Sequence, residues 1–228
     1  MFFHWSYLLL IPGMLLTFWA QSNIKGTYRR YAQIQSSLGM TGAQVAQSIL
    51  RKLDIHDVKV EPVAGELTDH YDPSAKAVRL SAEIYNGSSL AAAAVAAHEC
   101  GHVLQDKQGY GFMNFRATLV PAANIGSQMS PMLIMAGLFL GQLGQFFIFI
   151  GIALFAGVIA FHLVTLPVEF DASNRALTLI DQLGILQGNE NKGAKAVLRA
   201  AAWTYVATAL YALLQLLQYV IILMSRNR

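Results

Sequence analysis

The string Ala96-Ala97-His98-Glu99-Cys100-Gly101-His102-Val103-Leu104-Gln105 holds two histidines four residues apart, with a glutamate beside the first. On a helix, positions i and i+4 project from one face about one turn apart, so both imidazoles can reach a single divalent ion. Glu99 is then placed to hold water and take its proton rather than to ligate. Zinc suits such a site, because it lowers the pKa of water from about 15.7 toward 7 and polarises a carbonyl as a Lewis acid. The HExxH pattern also arises by chance in unrelated helices, so its setting carries weight. Here the setting is an alanine-dense run, Leu90 to Lys107, in the best helix-forming residue, preceded by turn and cap chemistry at Asn86-Gly87-Ser88-Ser89.

A catalytic zinc takes three protein ligands and keeps a fourth position open. The later segment from Leu166 to Ala176, LPVEFDASNRA, offers Glu169 and Asp171, and spacing alone does not separate two carboxylates two residues apart. Asp171 can equally cap a following helix or orient a ligand histidine. His70, beside Asp69 and near Asp72, is an outside candidate for a ligand or a transition-state donor, against the commoner fate of a hairpin histidine on the surface. Arg175 could stabilise an oxyanion or a substrate carboxylate, against an ordinary place on a helix surface. Cys100, two residues past His98, points away from the ligand face and reads as a small buried core residue. His162 lies in an apolar stretch, where an ionisable group is a functional hypothesis by default.

The chain that must position these groups has 228 residues, 55% of them hydrophobic and 13% charged, with mean hydropathy +0.43. That is more apolar surface than one soluble domain buries, and it defines a membrane protein. The net charge of +3 comes from scattered Lys and Arg without a block of like charge, which excludes a nucleic-acid-binding reading and fits cytoplasmic loops. A single cysteine rules out an internal disulfide and fits a reducing compartment.

Residues 1–20 lack a basic n-region and a cleavage site and read as a retained transmembrane helix, anchored on the cytoplasmic side by Lys25, Arg29 and Arg30. Residues 21–116 form the water-facing domain with the HExxH helix. Within it, Thr41 caps an amphipathic helix to Leu53 carrying Val45, Ile49 and Leu50. Three short runs at 58–63, 66–72 and 76–81 predict a small antiparallel sheet. Residues 117–166 hold two spans, near 117–140 and 145–166, turning at Gly141 to Gly144 and interrupted by Pro121 and Pro131. Residues 167–201 carry the third ligand, and 202–228 make the last span and the tail. The expected architecture is an α-helical membrane protein with a small α+β zincin-like domain, four transmembrane helices and a short antiparallel sheet next to the HExxH helix.

HECGH, the later PVEFDASNRA and the hydrophobic layout together resemble the bacterial neutral zinc metallopeptidases of the YugP type, which are integral membrane proteins. The resemblance runs from about Thr41 to Leu214. It implies His98, His102 and Glu169 as ligands of one zinc ion, and it is what favours Glu169 over Asp171. The order of motifs is also similar to the HtpX-like and prenyl-protein endopeptidases of the gluzincin group, in which the Glu precedes an Asp by four positions; here that position is Ser173. In that wider group a strand before the zinc helix receives the substrate as an added β-strand, a role the resemblance implies for Lys76 to Ser81 or Glu66 to Tyr71.

His98, His102 and Glu169 must lie on one side of the bilayer to share a metal, and two spans between them satisfy this. The N-terminus is then outside, 21–116 and 167–201 inside with most of the Lys and Arg, and Arg226 and Arg228 outside. The expectation is a zinc-dependent endopeptidase of the bacterial cytoplasmic (inner) membrane, with its site on the cytoplasmic side, a peptide or membrane-associated protein as substrate, the lipid bilayer as partner and Glu99 as general base. The alternatives are a catalytically inactive zinc-binding scaffold or chaperone-like protein, with a fourth protein ligand such as Asp171 or His70, and last a metal transporter.

Overall fold

The computed structural model describes residues 4–225. Arg226 and Arg228, expected outside, lie beyond the described residues. The chain divides into two compact units, one of Ser22–Tyr110 with Val168–Ala202, the other of Gly111–Pro167 with the two ends of the chain up to Gln21 and from Trp203.

In the first unit, α2 (Gly42–Lys52) begins where the side chain of Thr41 accepts from Gln44 N and the Gln44 side chain accepts from Thr41 N. This reciprocal capping box satisfies two donors that a helix start otherwise leaves unpaired. Its apolar face, with Val45, Ile49 and Leu50, is buried. The three strand-like runs become β1 (Lys59–Val63), β2 (His70–Asp72) and β3 (Ala77–Ser81), in the order β1-β3-β2. The sheet is mixed rather than antiparallel, since β1 pairs with β3 in parallel and only β2 with β3 is antiparallel. A tight connection explains the second pairing: Asp72 Oδ1 accepts from the backbone N–H of Ser74 and of Ala75, folding β2 straight back onto β3. β1, separated by a longer loop, takes the other side of β3. Lys76 to Ser81 is therefore the central strand, with both edges engaged, and the expectation that it receives a substrate strand is corrected; of the two candidate segments only the one ending in β2 lies at an edge.

A five-residue helix, α3 (Ala82–Asn86), leads to α4 (Leu90–Lys107), which starts where the Ser89 side chain accepts from Ala92 N. Its alanines are fully buried, so small side chains let neighbouring backbones come close on several sides.

In the second unit, a turn of 3-10 helix leads into α1 (Leu10–Ala32), which continues into the first unit; α5 (Gly111–Phe139) and α6 (Gly144–Gln182) follow, joined at Gly141–Leu143, and α7 (Asn189–Ser225) closes the chain. The helix α5 runs through Pro121 and Pro131 without a break. Small residues bring α5 and α6 together: Gly126 faces the Leu154 carbonyl, Gly151 faces Ile134, and the Ser130 hydroxyl donates to the Gly151 carbonyl. Ile134, Ile148, Phe155, Val158 and Tyr219 belong to one buried cluster. Among the described residues three helical stretches are long and apolar enough to cross a membrane: Trp5–Ala32, Gly141–Gln182 and Asn189–Ser225. Four spans are expected from the sequence; α5 is not among the three, and its apolar character is diluted by Asn124, Ser127, Gln128 and Ser130.

Candidate metal centre

α4 sets His98 and His102 on one face, their ring centroids 4.8 Å apart. α6 brings Glu169 against them, with Oε2 at 3.3 Å from His98 Nε2 and 3.7 Å from His102 Nε2. One ligand atom from each of the three lies within 4.8 Å of the others. Two donors on a tetrahedral zinc at bonds of about 2.0–2.1 Å stand roughly 3.3–3.4 Å apart. The two His–Glu169 spacings, 3.3 and 3.7 Å, lie near that value, and two imidazole nitrogens with a carboxylate oxygen are a donor set that suits zinc in chemistry. Glu169 and His102 are buried and His98 is half-buried.

α4 and α6 meet this closely because of Gly101. A Cβ there would drive into the backbone carbonyl oxygen of Ala172 on α6, so only glycine permits this approach. The residue does its work inside the motif, between the histidines.

Each histidine is held through its other nitrogen. Nδ1 of His98 faces the Ser173 hydroxyl at 3.3 Å, and Nδ1 of His102 faces Gln105 Oε1 at 2.9 Å. A partner on Nδ1 is what turns the Nε2 lone pair of a neutral imidazole toward a metal. Ser173, at the position where the HtpX-like endopeptidases have an Asp, faces His98. Gln105 lies seven residues after His98 and three after His102, on the same helical face, so its phase on α4 is a signal that the sequence carries and that motif reasoning passes over.

Glu99 is buried beside the histidines, and this burial raises its carboxyl pKa; the His98 and His102 imidazoles pull it back down. On His102 burial opposes the charged form, but the Glu169 and Glu99 carboxylates outweigh it and the pKa is raised.

The remaining candidates fall elsewhere. Asp171 is outside the ligand group; its Oδ2 accepts from Gln105 Nε2 at 2.8 Å and from Arg175. It caps no helix, since α6 continues unbroken through it. Arg175 also donates to Gln108 and stacks over Tyr110. His70 is exposed, with Nδ1 at 2.7 Å from the Thr68 carbonyl, and is not in the ligand group. Cys100 is buried. His162 is half-buried and lines a cavity of about 180 Å³ with Asn124 and Ser127.

The comparisons with known proteins agree with this chemistry. The family model described as "Putative neutral zinc metallopeptidase" matches residues 6–224, and the chain belongs to that family. It is also 45% identical, over 217 residues, to "Putative membrane protease YugP" of Bacillus subtilis (strain 168), covering 95% of this chain and 96% of that relative. No solved structure matches.

Proposed function

We propose that this protein is a membrane-embedded, zinc-dependent endopeptidase in which His98, His102 and Glu169 hold one zinc ion and Glu99 is the general base. The observation that carries the reading is the convergence of three ligand atoms from two helices, within 4.8 Å, beside a buried carboxylate. When bound, zinc supplies Lewis acidity toward water and toward the scissile carbonyl. Glu99 takes a proton from the attacking water on a carboxylate oxygen and passes it to the leaving nitrogen. The raised proton affinity that burial gives Glu99 suits a group that must both accept and release a proton. Ser173 and Gln105 keep the two imidazoles aimed. An extended peptide bound along the free edge of β2 is fixed through main-chain hydrogen bonds with little regard to its sequence; β2 itself is tied toward the end of α4 by Tyr71 Oη, which donates to Asp106.

The membrane reading rests on three apolar helices and on the relative's description as a membrane protease. His98 and His102 precede α5 and Glu169 lies on α6 beyond its most apolar stretch, so one shared site requires an even number of crossings between them. We therefore take α5 as a fourth span despite its polar residues, with the site facing the cytoplasm of a bacterial inner membrane.

The scaffold alternative calls for a closed site with four protein ligands. Among the described residues the group has three members, and neither Asp171 nor His70 joins it, which favours the open, catalytic form. The test is metal analysis of the purified protein together with casein hydrolysis. One zinc per chain, activity lost to a chelator and restored by zinc are expected. Glu99→Gln is expected to keep the zinc and lose hydrolysis by at least about a hundredfold; full activity in that variant removes Glu99 from its role.

A further inference from the structure

Gln105 is fully buried and uses its amide at both ends. Nε2 lies 2.8 Å from the Val168 carbonyl oxygen and 2.8 Å from Asp171 Oδ2. Both are acceptors only, so the nitrogen end of the amide must face them, and its two N–H groups are both consumed. Oε1 is then the end turned to His102, at 2.9 Å from Nδ1. An amide oxygen cannot donate, so Nδ1 must carry the proton. The ring is thereby left with its lone pair on Nε2, the atom that faces Glu169.

From this we infer that Gln105 is a positioning residue that selects the tautomer of His102 and locks both metal-bearing helices to each other. Its oxygen fixes a ligand on α4. Its nitrogen fixes the carbonyl immediately before Glu169 on α6, and Asp171, held in turn by Arg175, keeps the amide from flipping. One side chain thus couples the orientation of each ligand half to the other. Asp171, a candidate third ligand by sequence, acts further out, as the group that orients Gln105. Partners of this kind contribute about 10–100-fold in metal affinity.

The inference rests on the proposed zinc site, and its test separates the two. The full-length protein in detergent is titrated with zinc against a chromophoric chelator, as wild type and as Gln105→Met, which preserves the volume and removes both hydrogen-bonding ends. Affinity is expected to fall about 10–100-fold in Gln105→Met; an unchanged affinity overturns the inference, because a side chain that only fills space would be replaced by Met without loss. The second measurement needs no variant at residue 105. With nitrogen-15-labelled histidine in the metal-free wild type, at a pH where the ring is neutral, His102 is expected to be protonated on Nδ1 and bare on Nε2, its signals assigned by their absence in His102→Asn. The opposite tautomer overturns the inference even if Gln105→Met does not fold. If instead wild-type protein binds no zinc, or His98→Ala leaves the affinity unchanged, it is the zinc reading that fails, while the tautomer of His102 still decides the role of Gln105 independently.

Discussion

Cys100 stands between His98 and His102 in the chain, yet its sulfur lies 3.8 Å from the Ala46 carbonyl oxygen on α2. Burial pushes the thiol pKa up, which disfavours the thiolate and with it nucleophilic chemistry. Cys100 is expected to resist a maleimide in the native protein and to react stoichiometrically once the chain is denatured; fast labelling of the native form would refute its place in the core. At this scale much is legible in the sequence. Helical phase alone marks Cys100 as core, and motif and resemblance together point to His98, His102 and Glu169. Spacing does not rank Glu169 against Asp171, because the choice depends on how α6 is rotated against α4, a tertiary fact. Gln105 escapes notice for a related reason: an amide acquires meaning only when its partners on another helix are known.

At the scale of elements, the distance between α4 and α6 is set by backbone contact at Gly101 and Ala172. Gly101→Ala is expected to force the two helices apart, costing about 1–3 kcal/mol of stability by overpacking and weakening zinc binding by an order of magnitude or more. Chemical unfolding and chelator competition measure the two effects separately. A second joint ties the start of β3 to the end of α4, where Asp57 accepts from Lys76 and Lys107. Hydrogen bonds from these two ammonium groups hold the Asp57 carboxyl below the usual carboxylate range. Its stabilising effect is therefore complete above the ordinary pKa and is lost as pH falls through the lower folded value. Acidification below the ordinary carboxylate range is expected to narrow the stability gap between wild type and Asp57→Asn, and added salt to narrow it at any pH; a gap that widens on acidification would contradict the assignment. Caps are readable from sequence here, as Thr41 and Ser89 show, because capping is local. The pairing of the sheet is not. Alternation marks strands at 58–63 and 76–81 but carries no information on which of them ends up in the middle.

On the scale of the whole molecule, composition points to a membrane protein, whereas the number of crossings depends on whether α5, with Asn124, Ser127, Gln128 and Ser130 along it, also crosses. If α5 and α6 both cross, a reporter fused in the turn at Gly141–Leu143 reads external and one fused between Gln182 and Asn189 reads cytoplasmic. Opposite sidedness for the 183–188 turn and the loop at residues 54–57 would break the proposed site. The ligand set also has an order in time. His98 and Glu169 are 71 residues apart in the chain, and everything between them must be synthesised before the third donor exists. If the proposed site is right, a nascent or prematurely terminated chain ending short of Glu169 carries His98, Glu99 and His102 but lacks one of the three zinc donors. On the proposed reading, hydrolytic competence is therefore deferred until α5 and most of α6 have been made.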